Sequence, residues 1–284
     1  MLREALFGHV SGLEIINPSV LVKKGVRDNS QEIGAFLDWV RSIPAIYWEL
    51  RHTLTVKHSR PNKPYMPDVI FNGPAGRIEG RYHHQGKPNS PIALILHPHP
   101  QFGGTMNNAI VYELFYMFAN RGFSVLRFNF RGVGRSQGGF DGGIGELSDA
   151  AAALDWLQTY NVDSRTCWVA GFSFGAWIGM QLLMRRPEID GFISVAPPAN
   201  SYDFSFLAPC PSSGIFVSGD QDQVAPVDDV VKLVERLRAQ KGIIIDQEVI
   251  KGANHFFDNH SKPMMDVVSK YLDRRLEEDK QKAD

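Results

Sequence analysis

Cysteine is nearly missing from this sequence: of 284 residues only Cys167 and Cys210 carry a thiol. That excludes a disulfide-framed scaffold and makes a reducing, cytoplasmic setting the expectation. Cys167 opens an apolar run, so a buried free thiol is expected there. Charge of one sign is missing too, with 30 basic residues against 31 acidic ones. No basic stripe offers itself to nucleic acid, and no acidic tract to a solvating role. No apolar run approaches the length of a membrane span, so no membrane partner is expected. The opening residues lack a continuous apolar stretch and carry Glu4, so no secretory signal is expected. Repeats and low-complexity tracts are absent. What remains is a chain with 43% hydrophobic residues, enough for one sizeable core.

The most informative stretch runs from Cys167 to Met184. Cys167 to Ala170 reads as a buried strand, and Ala176 to Met184 is apolar and helix-compatible. Between them lies Gly171-Phe172-Ser173-Phe174-Gly175, a G-x-S-x-G pentapeptide. Strand, sharp turn and helix together define a nucleophile elbow. The turn is strained, and a side chain two residues before or after the serine would clash, so glycine is needed at 171 and 175. The following helix N-terminus aims free N–H groups at the reacting centre.

Residues 1–65 do not match the remainder. They hold nine basic and six acidic residues, and one helical patch at Glu32 to Val40 with Ser30 as N-cap. They are either an accessory segment or translated sequence upstream of a start at Met66, and the second reading is preferred because a coherent pattern begins just after that methionine. From there to about 277 the pattern is regular. Val69–Phe71 and Ile78–Tyr82 form a hairpin through Asn72 to Gly76. Strands follow at Ile92–Leu96, Phe123–Phe128, Cys167–Ala170, Gly191–Val195, Gly214–Val217 and Gly242–Ile250. Helices are expected at Asn107–Arg121, Glu146–Thr159, after Ser173, around Val230–Leu237 and at Val267–Leu276. The apolar side of the second of these is Leu147, Ala150, Ala151, Leu154 and Leu157. The alternation predicts an α/β fold: a mainly parallel, twisted sheet of about eight strands with helices on both faces. The tail, 278–284, is charged and expected to fray. Only Ala196 to Ser213 separates two successive strands, too short for a cap domain, so the cleft should be open and rimmed by Phe102, Phe140, Phe174, Phe204 and Phe206.

A serine alcohol needs a base, and the base needs an orienting acid. In such a sheet the chain order is Ser, acid, His, each on a loop after a strand. Two histidines follow Ser173. His255 lies just after a strand, whereas His260 sits among polar residues near Pro263 and reads as surface. Of two aspartates after Gly214–Val217, Asp222 is preferred as the acid and Asp220 as a turn residue. An oxyanion hole needs two N–H donors. Phe174 supplies one. The loop His97-Pro98-His99-Pro100-Gln101-Phe102 supplies the other, and its prolines leave His99, Gln101 and Phe102 as candidates. His97 and His99 with His83 and His84 make a weak metal signal, so no metal and no cofactor are expected. Arg131-Gly132-Val133-Gly134-Arg135-Ser136 lacks the third glycine of a dinucleotide loop. Arg131 and Arg135 are candidates to meet a substrate carboxylate, although solvated arginines are commoner.

These motifs, His97-Pro98-His99-Pro100, Gly103-Gly104-Thr105-Met106-Asn107-Asn108, Phe130-Arg131-Gly132-x-Gly134-x-Ser136, Gly171-Phe172-Ser173-Phe174-Gly175-Ala176 and Gly252-Ala253-Asn254-His255-Phe256-Phe257, resemble the α/β-hydrolase superfamily over roughly Asp68 to Leu276. The likeness is to compact bacterial members similar to dienelactone-hydrolase-like and dipeptidyl-peptidase-like domains. It implies a serine hydrolase with Ser173, Asp222 and His255 as triad, acting on a small acyl substrate. The superfamily hosts esterases, lactonases, thioesterases and peptidases, so the fold alone sets no substrate. A short-peptide peptidase and a non-catalytic binding module on the same fold are the rival expectations.

Overall fold

The computed structural model of the chain describes residues 67–283. The expectations for residues 1–65 and a start at Met66 lie outside the described residues. Strands β1 (Asp68–Gly73) and β2 (Gly76–His83) form the antiparallel hairpin, closing with Gly73 opposite Gly76. Then come β3 (Ile92–Leu96), β4 (Ser124–Phe128), β5 (Cys167–Phe172), β6 (Ile189–Val195), β7 (Ser213–Gly219) and β8 (Ile245–Ile250). They make one eight-stranded sheet in the order β1-β2-β4-β3-β5-β6-β7-β8. β2 is antiparallel to both its neighbours, and every pair from β4 to β8 is parallel.

Among the described residues five helices cover the sheet: α1 (Ala109–Ala119), α2 (Ile144–Thr159), α3 (Phe174–Leu183), α4 (Val227–Arg238) and α5 (Ser261–Ala283). Side chains on a strand alternate between faces, and β5 feeds two cores accordingly. Cys167 and Val169 join α2, α3 and α4 on one face. Trp168, Ala170 and Phe172 join α1 and α5 on the other. Covering both faces is what lets β3, β4 and β5 be buried at every position. β5 lies mid-sheet, so its carboxyl end opens at the centre of one edge. Between β6 and β7 the only regular element is a single 3-10 turn, Ser205–Leu207. No cap domain interrupts the fold there.

Several boundaries differ from the sequence expectation for local reasons. α1 begins at Ala109 because the Asn108 side-chain oxygen Oδ1 accepts the N–H groups of Ile110 and Val111. β8 begins at Ile245, since Gly242 holds φ 88° and lies in the preceding turn. α5 starts six residues earlier than Val267, at Ser261, with Pro263 in its first turn, where a missing N–H costs nothing. The tail expected to fray continues this helix through Ala283, laced by Arg275 to Glu278 at 3.4 Å and Lys280 to Glu277 at 3.4 Å. The buried stripe of α2 is also rotated. Glu146 and Asp149 are fully buried, while Leu147 and Ala151 are only partly so.

Trp168 anchors the α1/α5 face. It is 1% exposed, packs against Phe118 and Tyr271 with ring centroids 6.2 Å away in each case, and lies under the Arg275 guanidinium. Trp168→Ala should therefore lower the unfolding free energy by about 3–5 kcal/mol, read as a fall in urea midpoint at unchanged slope.

Candidate active site

The carboxyl ends of β3, β5, β7 and β8 bring the chemically capable residues to one edge. Ser173 sits at φ 55°, ψ −119°, between β5 and α3. This is a conformation that L-residues disfavour, and its surroundings enforce it. A Cβ on Gly171 would come within 2.3 Å of the Gly175 carbonyl oxygen, and one on Gly175 within 2.4 Å of the Leu96 carbonyl oxygen. The turn is thus packed against its own helix and against the end of β3. The Ser173 N–H is held by the Val195 carbonyl at 2.9 Å, which extends the β5–β6 ladder by one residue.

His255 reaches this serine from the loop after β8, its Nε2 lying 3.0 Å from Ser173 Oγ. Its Nδ1 lies 2.8 Å from Asp222 Oδ2. A carboxylate here accepts, so Nδ1 carries the proton and the Nε2 lone pair faces the serine hydroxyl in the neutral ring. Asp222 is itself oriented by the N–H groups of Val224 at 2.8 Å and Ala225 at 2.7 Å, both donating to Oδ1. The rings of Phe172 and Phe256 flank the imidazole, with centroids 5.3 and 5.2 Å away. Asp220 has a different task. Its Oδ1 accepts the Gly252 N–H at 2.6 Å and ties the β7 loop to the histidine loop. The His260 ring bonds the Asp258 carbonyl and does not enter the site.

The loop after β3 narrows the oxyanion candidates. The Gln101 N–H donates to the His99 Nδ1, and the Phe102 N–H to the His99 carbonyl at 3.1 Å. Both donors are therefore spent inside the loop, which corrects their candidacy. The Phe174 N–H opens α3, with no helical carbonyl behind it. The His99 ring lies against Phe102, Phe140 and Phe174 at 4.7–4.9 Å. Of the five expected rim phenylalanines, Phe102 is 86% exposed, whereas Phe174 and Phe204 are core.

His97 anchors the root of this loop. The Phe130 N–H donates to its Nε2 at 3.0 Å, so its proton resides on Nδ1 and is donated to the Pro98 carbonyl. Both ring nitrogens are thereby engaged. Complete burial holds this imidazole down at about 4. Sequence reasoning saw His97 only as a possible ligand.

The two arginines are not poised for a substrate carboxylate. Arg131 is buried and grips Asp149 bidentately at 2.9 and 2.8 Å, and its backbone N–H donates to the same carboxylate at 3.0 Å. Arg135 is exposed, but its Nε meets Glu79 at 3.0 Å. Burial alone would raise the Glu79 carboxyl. Hydrogen bonds from the Arg135 N–H, from Asn129 and from the Arg135 side chain outweigh it and hold the group below the usual range. Asp149 was missed in the sequence. An aspartate on the buried stripe of a helix was the signal, because such a charge requires a partner.

Comparison with known proteins agrees with this geometry. A family model described as X-Pro dipeptidyl-peptidase (S15 family) matches residues 52–213, and one for the dienelactone hydrolase family matches residues 144–283. An uncharacterized protein of Rickettsia prowazekii is 53% identical over 211 residues, 73% of this chain and 89% of that one. The crystal structure of a protein of unknown function from Agrobacterium tumefaciens, described as an α/β hydrolase, is 66% identical, with TM-score 0.73 over 74% of this chain and 97% of its own. An α/β serine hydrolase without a lid from Xanthomonas campestris is 29% identical, with TM-score 0.67 over 75% of this chain and 95% of its own. The chain belongs to the α/β-hydrolase superfamily of serine hydrolases, and over residues 144–283 it is similar to the dienelactone hydrolase family.

Two stability predictions come from these buried groups. Asp149→Ala leaves the Arg131 guanidinium buried without its partner and should cost about 3–5 kcal/mol, measured by urea unfolding. For His97, the unfolded ring binds a proton near pH 6.5 that the folded ring refuses until about 4. Stability should therefore fall as pH drops through that window, by about 3 kcal/mol, and level off below it. Urea titrations across the window should show a shallower decline in His97→Gln.

Proposed function

We propose that this protein hydrolyses a small carboxylic ester through a Ser173–His255–Asp222 triad and an acyl-enzyme. The observation that supports it most is the unbroken relay of 3.0 Å from Ser173 Oγ to His255 Nε2 and 2.8 Å from His255 Nδ1 to Asp222. Ser173 Oγ attacks the acyl carbon while Nε2 takes its proton. The oxygen of the tetrahedral adduct, now negative, is held by the N–H groups of Phe174 and His99. The imidazolium then protonates the leaving oxygen, the alcohol departs, and the acyl group stays on Ser173. Water repeats the sequence, giving up its proton to Nε2 and releasing the carboxylic acid. The reactants are the ester and water, and the chain's own groups suffice for each step.

A peptidase reading draws on the dipeptidyl-peptidase family model but finds less support in the side chains. Holding a peptide terminus needs a fixed charge, and Arg131 and Arg135 are already committed to Asp149 and Glu79. A long-chain lipid needs a deep apolar tunnel, whereas the loop between β6 and β7 offers no cap to build one. The two cysteines, both free and buried, are in keeping with a reducing cytoplasm. No helix among the described residues is long and apolar enough to cross a membrane.

A fluorophosphonate probe should label the wild type and not Ser173→Ala. On p-nitrophenyl acetate, Ser173→Ala and His255→Ala should each lose about 10⁴-fold or more in kcat, while aminoacyl-nitroanilides are left uncut by the wild type. A folded wild type that resists the probe would exclude the triad, and faster turnover of the nitroanilides would favour the peptidase.

A further inference from the structure

β4 carries a charge that the mechanism above does not use. Arg127 lies mid-strand and is only 3% exposed. A buried guanidinium ordinarily demands a carboxylate. The hydrogen-bond acceptors of its Nη1 are instead the Met106 carbonyl and, at 2.8 Å, the Asn107 side-chain oxygen. The faces of Tyr112 and Phe115 lie 5.2 and 5.4 Å from its central carbon and offset part of the desolvation. Its cross-strand neighbour is another cation, Arg81. Burial, and then Arg81, bring this guanidinium below its usual range. An apolar residue would fill this position at less cost.

Two residues on, Asn129 acts on the same target. Its Oδ1 accepts the Met106 N–H at 2.8 Å, and its Nδ2 donates to Glu79 at 3.0 Å. Met106 is thus held by its carbonyl from Arg127 and by its N–H from Asn129. Met106 closes the loop that His97 opens, and Gly104 just before it donates its N–H to the His99 carbonyl at 3.0 Å. A shift at Met106 would therefore be passed to His99.

We propose that Arg127 and Asn129 are positioning residues that clamp Met106 and so keep the His99 N–H aligned with that of Phe174 at the developing oxyanion. This rests on the hydrolase reading of Ser173 and His99. Neither residue meets substrate. Their effect is confined to the tetrahedral state, because the ground-state ester carbonyl depends less on the donors' exact placement.

The test pairs turnover of p-nitrophenyl acetate with the affinity of phenylboronic acid, whose boron takes the Ser173 oxygen and becomes a tetrahedral anion. Arg127→Met should lower kcat on the order of a hundredfold and Asn129→Ala on the order of tenfold, with KM within about threefold of wild type. Boronate affinity should weaken in proportion to kcat. Arg127→Lys, which can still reach the Met106 carbonyl, should recover part of both. Arg186→Met breaks the pairing with Asp155 and Glu188; it should lower Tm while sparing kcat and boronate affinity. If Arg127→Met does not fold, Asn129→Ala and Arg127→Lys decide the matter. Full activity in folded Asn129→Ala, or a loss of kcat with boronate affinity intact, would overturn the proposal. A wild type that neither turns over nor binds boronate would remove the hydrolase reading itself, a result distinct from either.

Discussion

The conformation of Ser173 is the constraint to which the rest of the site answers. A non-glycine residue at φ 55°, ψ −119° stores roughly 1–3 kcal/mol of strain and persists only where its surroundings leave no alternative. Here the surroundings are the close contacts of Gly171 with α3 and of Gly175 with the end of β3, and the Val195 carbonyl that fixes the Ser173 N–H. The same contacts place the start of the His97 loop beside the elbow. One packing constraint therefore lifts the hydroxyl above the sheet and sets the origin of the loop that faces it.

Around that centre the buried charges hold loops rather than meet ligands. Arg131 with Asp149 fixes the turn after β4 to α2, and Glu146 accepts the Asp141 and Gly143 N–H groups at the start of the same helix. Asp222 and Asp220 each accept backbone N–H groups, and the second joins two loops 32 residues apart in the chain. His97 is the neutral counterpart. A fully buried imidazole can satisfy one donor and one acceptor at once, which suits it to pinning the β3 loop to Phe130. Among the described residues no cap domain between β6 and β7 braces these loops. These buried polar contacts do that work from below.

Much of this was legible from residue order. The period-two and period-3.6 patterns gave the strands and helices from Val69 onward, because a sheet covered on both faces writes its core directly into apolar runs. The Ser, Asp, His order with each residue after a strand singled out three side chains that lie within hydrogen-bond reach of one another, since a parallel sheet sends all those loops to one edge. Reading failed where a charged residue was judged by its class. Arg131 looked like a substrate clamp and Arg135 like another, because their partners Asp149 and Glu79 lie 18 and 56 residues away in sequence. The helix expected from Val267 begins at Ser261, because a first turn accepts Pro263. For both arginines the deciding contact is tertiary, and for Arg131 it leaves an indirect trace, an aspartate inside the apolar stripe of α2.

The donor inventory of the His97 loop shows how such a trace becomes specific once contacts are known. Three N–H groups remained after the prolines were removed. Gln101 and Phe102 spend theirs on the ring and carbonyl of His99, which folds the loop into a compact turn around that residue. The bonds that disqualify two candidates are therefore the ones that present the third. Pro98 and Pro100 on either side of His99 limit its backbone freedom further, since the residue before a proline avoids the helical region. A donor that is to serve a charge existing only in passing must be fixed beforehand and otherwise unpaired. Within this loop, the His99 N–H is the candidate that meets both conditions.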